Sequence, residues 1–299
     1  MKKINLGTTE YKISQLGLGC INFGTTTEEK QAFLLMEKYM ELGGNLFDTA
    51  NNYAVWNGGD GRESERTIGK WIMANPMSRK NMFLCTKLGA LNEATGSGFD
   101  SMQGTSKKVI ITEVEKSLEA LKTDYIDLLY LHVDDFTTPL EETMGALSEM
   151  ISKGYVKTIG CSNFRTWRIE RARQICMENH LPFFSAVQQR YTYFQPVMDA
   201  DFGVQICADK ELESYLDHYK DLTMISHTSL LYGAYFKEGI EDEQYDTAMN
   251  RRRLQELKQS GRNPVDYVLK HITTQFGGSV ALVTSNDVGH LESNIKRFQ

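Results

Sequence analysis

The feature that most constrains this chain is an alternation between short apolar runs and longer amphipathic stretches. Eight apolar runs recur along it, at residues 15–20, 45–48, 81–87, 127–132, 156–162, 186–188, 222–226 and 279–284. Stretches with helical periodicity lie between and after them, at residues 27–42, 64–74, 107–121, 140–152, 166–179, 209–218, 263–275 and 290–297. Parallel strands need a covering helix at each crossover, and eight such units close a barrel. The pattern therefore predicts an α/β fold, a (β/α)8 TIM barrel.

The competing architecture is an open, doubly wound parallel sheet. Such a sheet, when it binds a dinucleotide, normally opens with a Gly-x-Gly-x-x-Gly turn. The nearest match, at residues 17–22, has Asn22 where the third glycine would stand. We therefore expect a single barrel domain over residues 1–299, a length that suits this fold. Residues 4–13, around a Gly7-Thr8-Thr9 turn, predict a short N-terminal β-hairpin that caps the barrel bottom.

Net charge and cysteine content argue against several classes of function. The formal net charge of −6 argues against nucleic acid or an anionic membrane as the main partner. No run approaches the roughly 18 apolar residues of a membrane helix, and the N-terminus lacks the apolar core of a signal peptide. The cysteines are odd in number and far apart, which is typical of reduced thiols. We expect a cytoplasmic protein acting on a small molecule, and the sequence indicates no particular oligomeric state.

Ionisable residues stand at the ends of three consecutive predicted strands. The second strand ends at Asp48, the third at Lys87 and the fourth at His132, and Tyr53 follows Asp48 in the next loop. Because side chains alternate along a strand and active sites of barrels lie at the carboxyl ends of the strands, we expect these four groups to meet at the barrel mouth. Long loops follow Lys87, Gln188 and Leu230 and would rise over the same end.

The chemistry of such a group is proton transfer to a carbonyl oxygen. A tyrosine hydroxyl, with a pKa of about 10, is a weak acid, and a neighbouring Lys87 ammonium is expected to lower that pKa. A buried Lys87 needs a counter-charge, which Asp48 can supply. His132 can bond the substrate oxygen or relay a proton. The set would polarise a carbonyl and protonate the developing alkoxide, and it contains no nucleophile–base pair suited to acyl transfer.

These motifs resemble those of the aldo-keto reductase family. The matching segments are Phe47-Asp48-Thr49-Ala50-Asn51-Asn52-Tyr53, Thr86-Lys87, Leu128-Leu129-Tyr130-Leu131-His132, Gly160-Cys161-Ser162-Asn163-Phe164 and Ala186-Val187-Gln188. The resemblance implies a (β/α)8 barrel and an NAD(P)H-dependent reduction of aldehydes or ketones. It assigns a catalytic tetrad of Asp48, Tyr53, Lys87 and His132, with Tyr53 as the general acid. It also implies that Ser162, Asn163 and Gln188 hold the nicotinamide carboxamide.

The last two strand ends depart from the family pattern. The seventh strand ends in His227-Thr228-Ser229-Leu230, so His227 replaces the aromatic residue that the family stacks on nicotinamide. After the eighth strand the family supplies residues for the adenosine, and the corresponding positions here are Asn286, Glu292 and Asn294. No arginine or lysine lies between Val283 and Asn294, and Asp287 would repel a 2′-phosphate. The resemblance nevertheless favours NADP(H), with NAD(H) as the alternative.

The remaining candidates complete the predicted site. Cys20, Asp48 and Leu230 join the expected cofactor-binding residues, because they lie at or just after strand ends. Cys20 and Cys85 near His132 are candidate zinc ligands. A zinc site needs four ligands at a suitable spacing, and the sequence has no such set, so no metal is predicted. Two other functions stay open: a cofactor-binding interaction or sensing subunit with little turnover, and an NAD-dependent sugar or alcohol dehydrogenase.

Overall fold

A computed structural model describes residues 1–53, 55–91 and 102–299 of the chain. The strands in this part are β1 (Lys3–Asn5), β2 (Lys12–Ser14), β3 (Leu16–Gly19), β4 (Leu46–Asp48), β5 (Phe83–Leu88), β6 (Ile126–Leu131), β7 (Val156–Ser162), β8 (Ala186–Arg190), β9 (Thr223–His227) and β10 (Val280–Val283). The helices are α1 (Glu29–Glu41), α2 (Glu63–Ala74), α3 (Lys107–Leu121), α4 (Leu140–Ser152), α5 (Thr166–Asn179), α6 (Lys210–Tyr219), α7 (Ala248–Gln259), α8 (Pro264–Thr274) and α9 (Val288–Phe298). Short 3-10 turns lie at Val55–Asn57, Pro76–Asn81 and Leu231–Phe236.

The eight strands from β3 to β10 close into a parallel barrel. Their order around it is β10-β3-β4-β5-β6-β7-β8-β9, so β10 returns to pair with β3. In the register of β5 against β6, Cys85 lies opposite Leu128 and Lys87 opposite Tyr130. The predicted (β/α)8 barrel is confirmed, and an open doubly wound sheet is excluded by the closing β10–β3 pair.

The barrel interior holds the residues that strand alternation assigned to it. Leu46, Phe83, Cys85, Leu128 and Tyr130 belong to one buried cluster. The hairpin β1–β2 adds Leu6 and Ile13 to this cluster, and both side chains are fully buried. The predicted N-terminal hairpin is confirmed, and it covers the amino ends of the strands with apolar side chains. Asp48, Lys87 and His132 lie at the opposite end of the strands.

Helix α7 is an element that the apolar pattern did not predict. Its sequence is strongly charged, and the buried residues are only Asn250, Leu254 and Leu257. The helix begins because Thr247 accepts a hydrogen bond from the backbone of Asn250 at 3.0 Å. Asn250 in turn donates to the carbonyl of Tyr245 at 2.8 Å. Two buried leucines are too few to show a helical period, so capping and a buried asparagine determine this helix.

Gly160 in β7 leaves room for a bulky ring inside the barrel. A Cβ atom at Gly160 would lie 2.8 Å from the Tyr130 ring and 2.9 Å from the Ala186 carbonyl oxygen. Overpacking of this kind displaces backbone or forces strained rotamers, so we expect Gly160→Ala to lower the free energy of unfolding by about 1–3 kcal/mol. Urea unfolding followed by tryptophan fluorescence would measure the change.

Gly145 in α4 is the matched control for this substitution. No atom lies within 4 Å of the position that its Cβ would occupy. Since glycine in a helix interior costs roughly 0.5–1 kcal/mol relative to alanine, Gly145→Ala should stabilise the protein slightly. A Gly160→Ala variant that is as stable as Gly145→Ala would show that the close contact around Gly160 does not matter for folding.

Among the described residues, no helix is both long enough and apolar enough to cross a bilayer. In the same ranges, no group of three or more His, Cys, Asp or Glu side chains is arranged to hold a metal ion. All five cysteines are free, and Cys20, Cys85, Cys161 and Cys176 are buried.

Candidate active site

Lys87 is the centre of the polar cluster at the carboxyl ends of the strands. Its Nζ donates to Asp48 Oδ1 at 2.5 Å, to the Thr49 carbonyl oxygen at 2.7 Å and to Tyr53 Oη at 2.7 Å. The side chain is fully buried, and that of Asp48 is 3% exposed. An ammonium group has three hydrogens to donate, so this arrangement uses all of them.

The turn that carries Tyr53 is fastened to β5 by the backbone. The Thr49 amide donates to the Cys85 carbonyl oxygen at 3.0 Å, and the Asn51 amide donates to the Lys87 carbonyl oxygen at 3.0 Å. The Asn51 side chain also donates to Glu113 of α3 at 2.7 Å. The tyrosine hydroxyl therefore meets Lys87 because the turn is held at several points.

Electrostatics in the cluster follow from burial and from the ion pair. Burial alone would lower the pKa of Lys87, but the Asp48 carboxylate and Tyr53 outweigh it and leave the pKa raised. Burial raises the pKa of Tyr53 to about 12, and the Lys87 ammonium offsets only part of that rise. The expected net lowering of the Tyr53 pKa is therefore wrong for this structure. Tyr53 is protonated at neutral pH, with a cation in place to stabilise its anion.

His132 lies just beyond β6, next to Tyr53. The two ring centroids are 5.9 Å apart, with an interplanar angle of 72°. Burial lowers the pKa of His132 well below its usual range, and the Lys87 ammonium adds to the effect. Its Nδ1 finds no hydrogen-bond partner within the described ranges. His132 is thus a neutral imidazole beside the tyrosine hydroxyl, able to bond a substrate oxygen.

A cavity of about 1200 Å³ opens above this cluster. The predicted site residues that line it are Asp48, Tyr53, His132, Ser162, Asn163, Gln188, His227, Leu230, Asn286 and Asn294. Lys87 lies directly beneath them, bonded to Tyr53. The loops after Gln188 and Leu230 contribute Gln205 and Tyr232 to its wall. Of the long loop after Lys87, residues 92–101 lie outside the described residues.

Two predicted cofactor residues do not line the cavity. Cys20 is fully buried among apolar residues between the strands and helices, and its thiol approaches the Leu18 carbonyl oxygen at 3.5 Å. Cys20 continues the side of β3 that carries Leu16 and Leu18, because side chains alternate along a strand, and it therefore packs away from the cavity. Glu292 forms an ion pair with Lys296 at 2.7 Å, on the outer side of α9. On the same helix Ser293, one residue further on, lies at the cavity.

The polar residues on β7 and β8 are tied into the same network. Gln188 Nε2 donates to Asp48 Oδ2 at 2.8 Å. Asn163 Nδ2 donates to the His132 carbonyl oxygen at 2.9 Å, and its Oδ1 accepts from the Ile206 amide at 3.2 Å. Gln188 and Asn163 therefore hold Asp48 and the His132 backbone in place as well as lining the cavity.

Arg190 and Arg297 are cationic residues that the sequence analysis missed. Arg190 is 8% exposed and donates to Tyr245 Oη at 2.8 Å and to Gln205 Oε1 at 2.9 Å, directly behind the cavity wall. Arg297 lines the cavity, and its Nε donates to Ser293 Oγ at 3.1 Å. Neither has a carboxylate partner in the part of the chain that the structure describes. Helical spacing could have found Arg297, since it lies three residues after Asn294 on α9.

His227 sits beside Arg190 at the end of β9. Burial lowers the pKa of His227 to about 3, and Arg190 lowers it further as a neighbouring cation. Its ring is therefore neutral, as a stacking surface requires. Asp287, expected to repel a phosphate, caps α9 by accepting from the His290 amide at 2.7 Å and is absent from the cavity lining.

A closed parallel barrel gathers aspartate, tyrosine, lysine and histidine at or beneath one cavity. The model of the aldo/keto reductase family matches residues 15–299, and the chain belongs to this family.

Individual relatives are about one third identical to this chain over the aligned segments. The oxidoreductase YrpG of Bacillus subtilis is 33% identical over 195 residues, covering 65% of this chain and 59% of the relative. An aryl-alcohol dehydrogenase of Pestalotiopsis microspora is 34% identical over 190 residues, covering 60% of this chain and 47% of the relative. A norsolorinic acid reductase of Emericella nidulans is 34% identical over 189 residues, with the same coverage. The matches thus span about half the length of these relatives.

Proposed function

We propose that this protein is an NAD(P)H-dependent reductase of aldehyde or ketone carbonyls, with Tyr53 as the general acid. The observation that carries the proposal is the bonding of Lys87 Nζ to Asp48 and to Tyr53 in one buried cluster beneath the cavity. The aryl-alcohol dehydrogenase and norsolorinic acid reductase among the relatives support oxidoreductase chemistry on small molecules.

The proposed mechanism assigns each residue a distinct task. The nicotinamide, when bound, supplies the hydride. His132, as a neutral imidazole, donates a hydrogen bond that orients and polarises the substrate carbonyl. The Tyr53 hydroxyl gives its proton to the carbonyl oxygen as negative charge develops there, and an alkoxide is basic enough to take it. Lys87 stabilises the resulting tyrosinate, while Asp48 keeps Lys87 charged and oriented.

The cavity suits an anionic dinucleotide. Lys87 and Asp48 neutralise each other, so Arg190 and Arg297 are the uncompensated positive charges at or just behind the wall. We propose that Ser162, Asn163 and Gln188 hold the carboxamide, that His227 stacks on the ring, and that Leu230, Asn286 and Asn294 contact the rest of the molecule. Arginine is well suited to phosphate, so Arg297 supports NADP(H) as the cofactor, with NAD(H) as the alternative.

Replacement of Arg297 tests the cofactor preference. Arg297→Gln should raise the Kd for NADPH about tenfold, because a charge-assisted hydrogen bond is worth roughly 1.5–3 kcal/mol, less at an exposed site. The Kd for NADH should change by less than about twofold. Fluorescence titration of both cofactors measures the two constants. Lys296→Gln is the matched control, since Lys296 is paired with Glu292 and does not line the cavity. Equal weakening of both cofactors would argue against a contact between Arg297 and the 2′-phosphate, the one group that NADPH has and NADH lacks.

Turnover is the direct test of the proposed function. Wild-type protein mixed with NADPH and benzaldehyde should consume NADPH at a rate that depends on aldehyde concentration. Tight cofactor binding without consumption of any carbonyl would favour the sensing subunit instead. Faster reaction with NAD+ and an alcohol or sugar would favour the dehydrogenase.

We also propose a cytoplasmic location. The five free cysteines support a reducing compartment, since secreted proteins of this size commonly pair their cysteines.

A further inference from the structure

Asn52 is a polar side chain in the cavity wall that has nothing to bond. It precedes Tyr53 in the turn after β4, is 6% exposed and lines the cavity. Its Oδ1 is buried, and no described residue donates a hydrogen bond to it. Buried polar groups in proteins are almost always hydrogen-bonded, and each exception calls for a reason.

The backbone around Asn52 keeps its amide at the cavity. The Asn51 amide is bonded to the Lys87 carbonyl oxygen at 3.0 Å, and the Arg62 amide donates to the Asn51 carbonyl oxygen at 3.0 Å. The carbonyl oxygen of Asn52 itself accepts from the Val55 amide at 3.4 Å. Because the turn is fixed on both sides of it, the amide cannot reach solvent by a small backbone movement. A molecule that enters the cavity can therefore supply the partner of this amide.

Aromatic groups also line this cavity. Trp56 lines the cavity and is 51% exposed, with its ring centroid 6.0 Å from that of Tyr53. Tyr232 and Phe236 line the cavity from the loop after β9. Flat apolar surfaces of this kind bind aromatic rings by offset or edge-to-face contact.

The bonding capacity of an amide selects the partner group. Asn52 offers one acceptor and two donors, and a hydroxyl group can use both kinds. An ether can only accept, and burying a charged group here would need a counter-charge that Asn52 does not have. The chemistry thus fits a hydroxyl carried on an aromatic ring.

We propose that Asn52 is a substrate-specificity residue that hydrogen-bonds a hydroxyl group on an aromatic aldehyde or ketone. This inference rests on the proposed function, because it places the reacting carbonyl at Tyr53 and His132. It assigns Asn52 to substrate selection and gives it no part in proton transfer.

The test compares kcat/KM for benzaldehyde with that for its 3- and 4-hydroxy and 3- and 4-methoxy derivatives. The wild-type protein should favour one hydroxybenzaldehyde over the matching methoxy compound by about tenfold, the worth of one neutral hydrogen bond. In Asn52→Leu, which keeps the size but removes the amide, that ratio should fall to about one. Asn52→Ser, which replaces the amide by a hydroxyl that can also donate and accept, should retain part of the preference. A ratio within one variant cancels differences in folded fraction.

Asn179→Leu is the control, since Asn179 bonds the Ile175 carbonyl oxygen on α5, outside the cavity. It should keep the wild-type ratio. A preference that survives in Asn52→Leu, or a wild-type protein with no preference, would overturn the inference.

Binding measurements distinguish a failure of this inference from a failure of the proposed function. Quenching of tryptophan fluorescence by the hydroxybenzaldehydes gives Kd values without turnover, and Trp56 lies at the site. If the wild-type protein reduces benzaldehyde but neither measurement depends on Asn52, the reductase proposal stands and the specificity inference fails. If no carbonyl is reduced while hydroxyl-dependent binding is lost in Asn52→Leu, the proposed function fails and the hydroxyl site stands.

Discussion

Tyr53→Phe should reduce kcat for carbonyl reduction by about 10²–10⁴-fold, the usual contribution of a positioned proton donor. The substitution removes the hydroxyl to which Lys87 Nζ donates at 2.7 Å and leaves the ring in place. The Kd for NADPH should change by less than about twofold, because the phenyl ring still fills its position beside His132. Steady-state kinetics and fluorescence titration on the same preparation measure both quantities.

Tyr11→Phe is the matched control at the other end of the barrel. Tyr11 packs against Phe83 with ring centroids 5.7 Å apart, close to the hairpin that covers the barrel bottom. Its hydroxyl is far from the reacting groups along β5, so kcat should stay at the wild-type value. Tyr53→Phe with undiminished turnover would remove Tyr53 from the role of general acid.

Asp48→Asn should cost about 3–5 kcal/mol of stability, because it leaves a buried ammonium without its counter-charge. Lys87 is fully buried, and only two neutral oxygen atoms would remain as its certain partners, those of Thr49 and Tyr53. Urea unfolding at neutral pH measures the loss. The variant should also be nearly inactive, since Lys87 would no longer hold its proton reliably.

The pH dependence of Asp48→Asn has a definite sign. Without the carboxylate, burial becomes the dominant influence and should lower the pKa of Lys87 below its unfolded value of about 10.4. Between these two pKa values the unfolded chain binds more protons than the folded one, so stability should rise with pH. Wild-type Lys87 has a raised pKa, and this contribution to stability is instead present at neutral pH and lost only at strongly alkaline pH.

A double substitution separates the missing charge from lost packing. Asp48→Leu combined with Lys87→Met removes both charges, and replacing a buried ion pair by apolar groups is often neutral or stabilising. The double variant should be more stable than Asp48→Asn and remain inactive. If it were the less stable of the two, desolvation of Lys87 would not explain the effect.

The barrel and its polar cluster were predictable because they depend on strand alternation. Asp48, Lys87 and His132 stand at strand ends in a period-two pattern, and that pattern alone fixes which face they share. The positions of Cys20 and Glu292 were not predictable in the same way. Cys20 lies directly after a strand and Glu292 lies on a helix. At both places a shift of one residue moves a side chain out of the cavity.

Other parts of the site depend on contacts between distant segments. Arg190 was missed because its partners, Gln205 and Tyr245, lie 15 and 55 residues further along the chain. The net pKa of Tyr53 was misjudged because sequence shows the neighbouring lysine but gives no measure of burial. That the buried Asn52 amide oxygen has no described hydrogen-bond partner is visible only in the three-dimensional structure.

All three hydrogens of the Lys87 ammonium group are used in hydrogen bonds, and this limits the reactions in which Lys87 can take part. A lysine that attacks a carbonyl to form an imine must present an unprotonated, accessible amine. Here the amine is held as a cation, buried and surrounded by three oxygen atoms. Changes in the cavity wall can therefore alter which carbonyl compound is accepted, while covalent capture of that compound by this lysine would require the anchoring turn itself to be rebuilt.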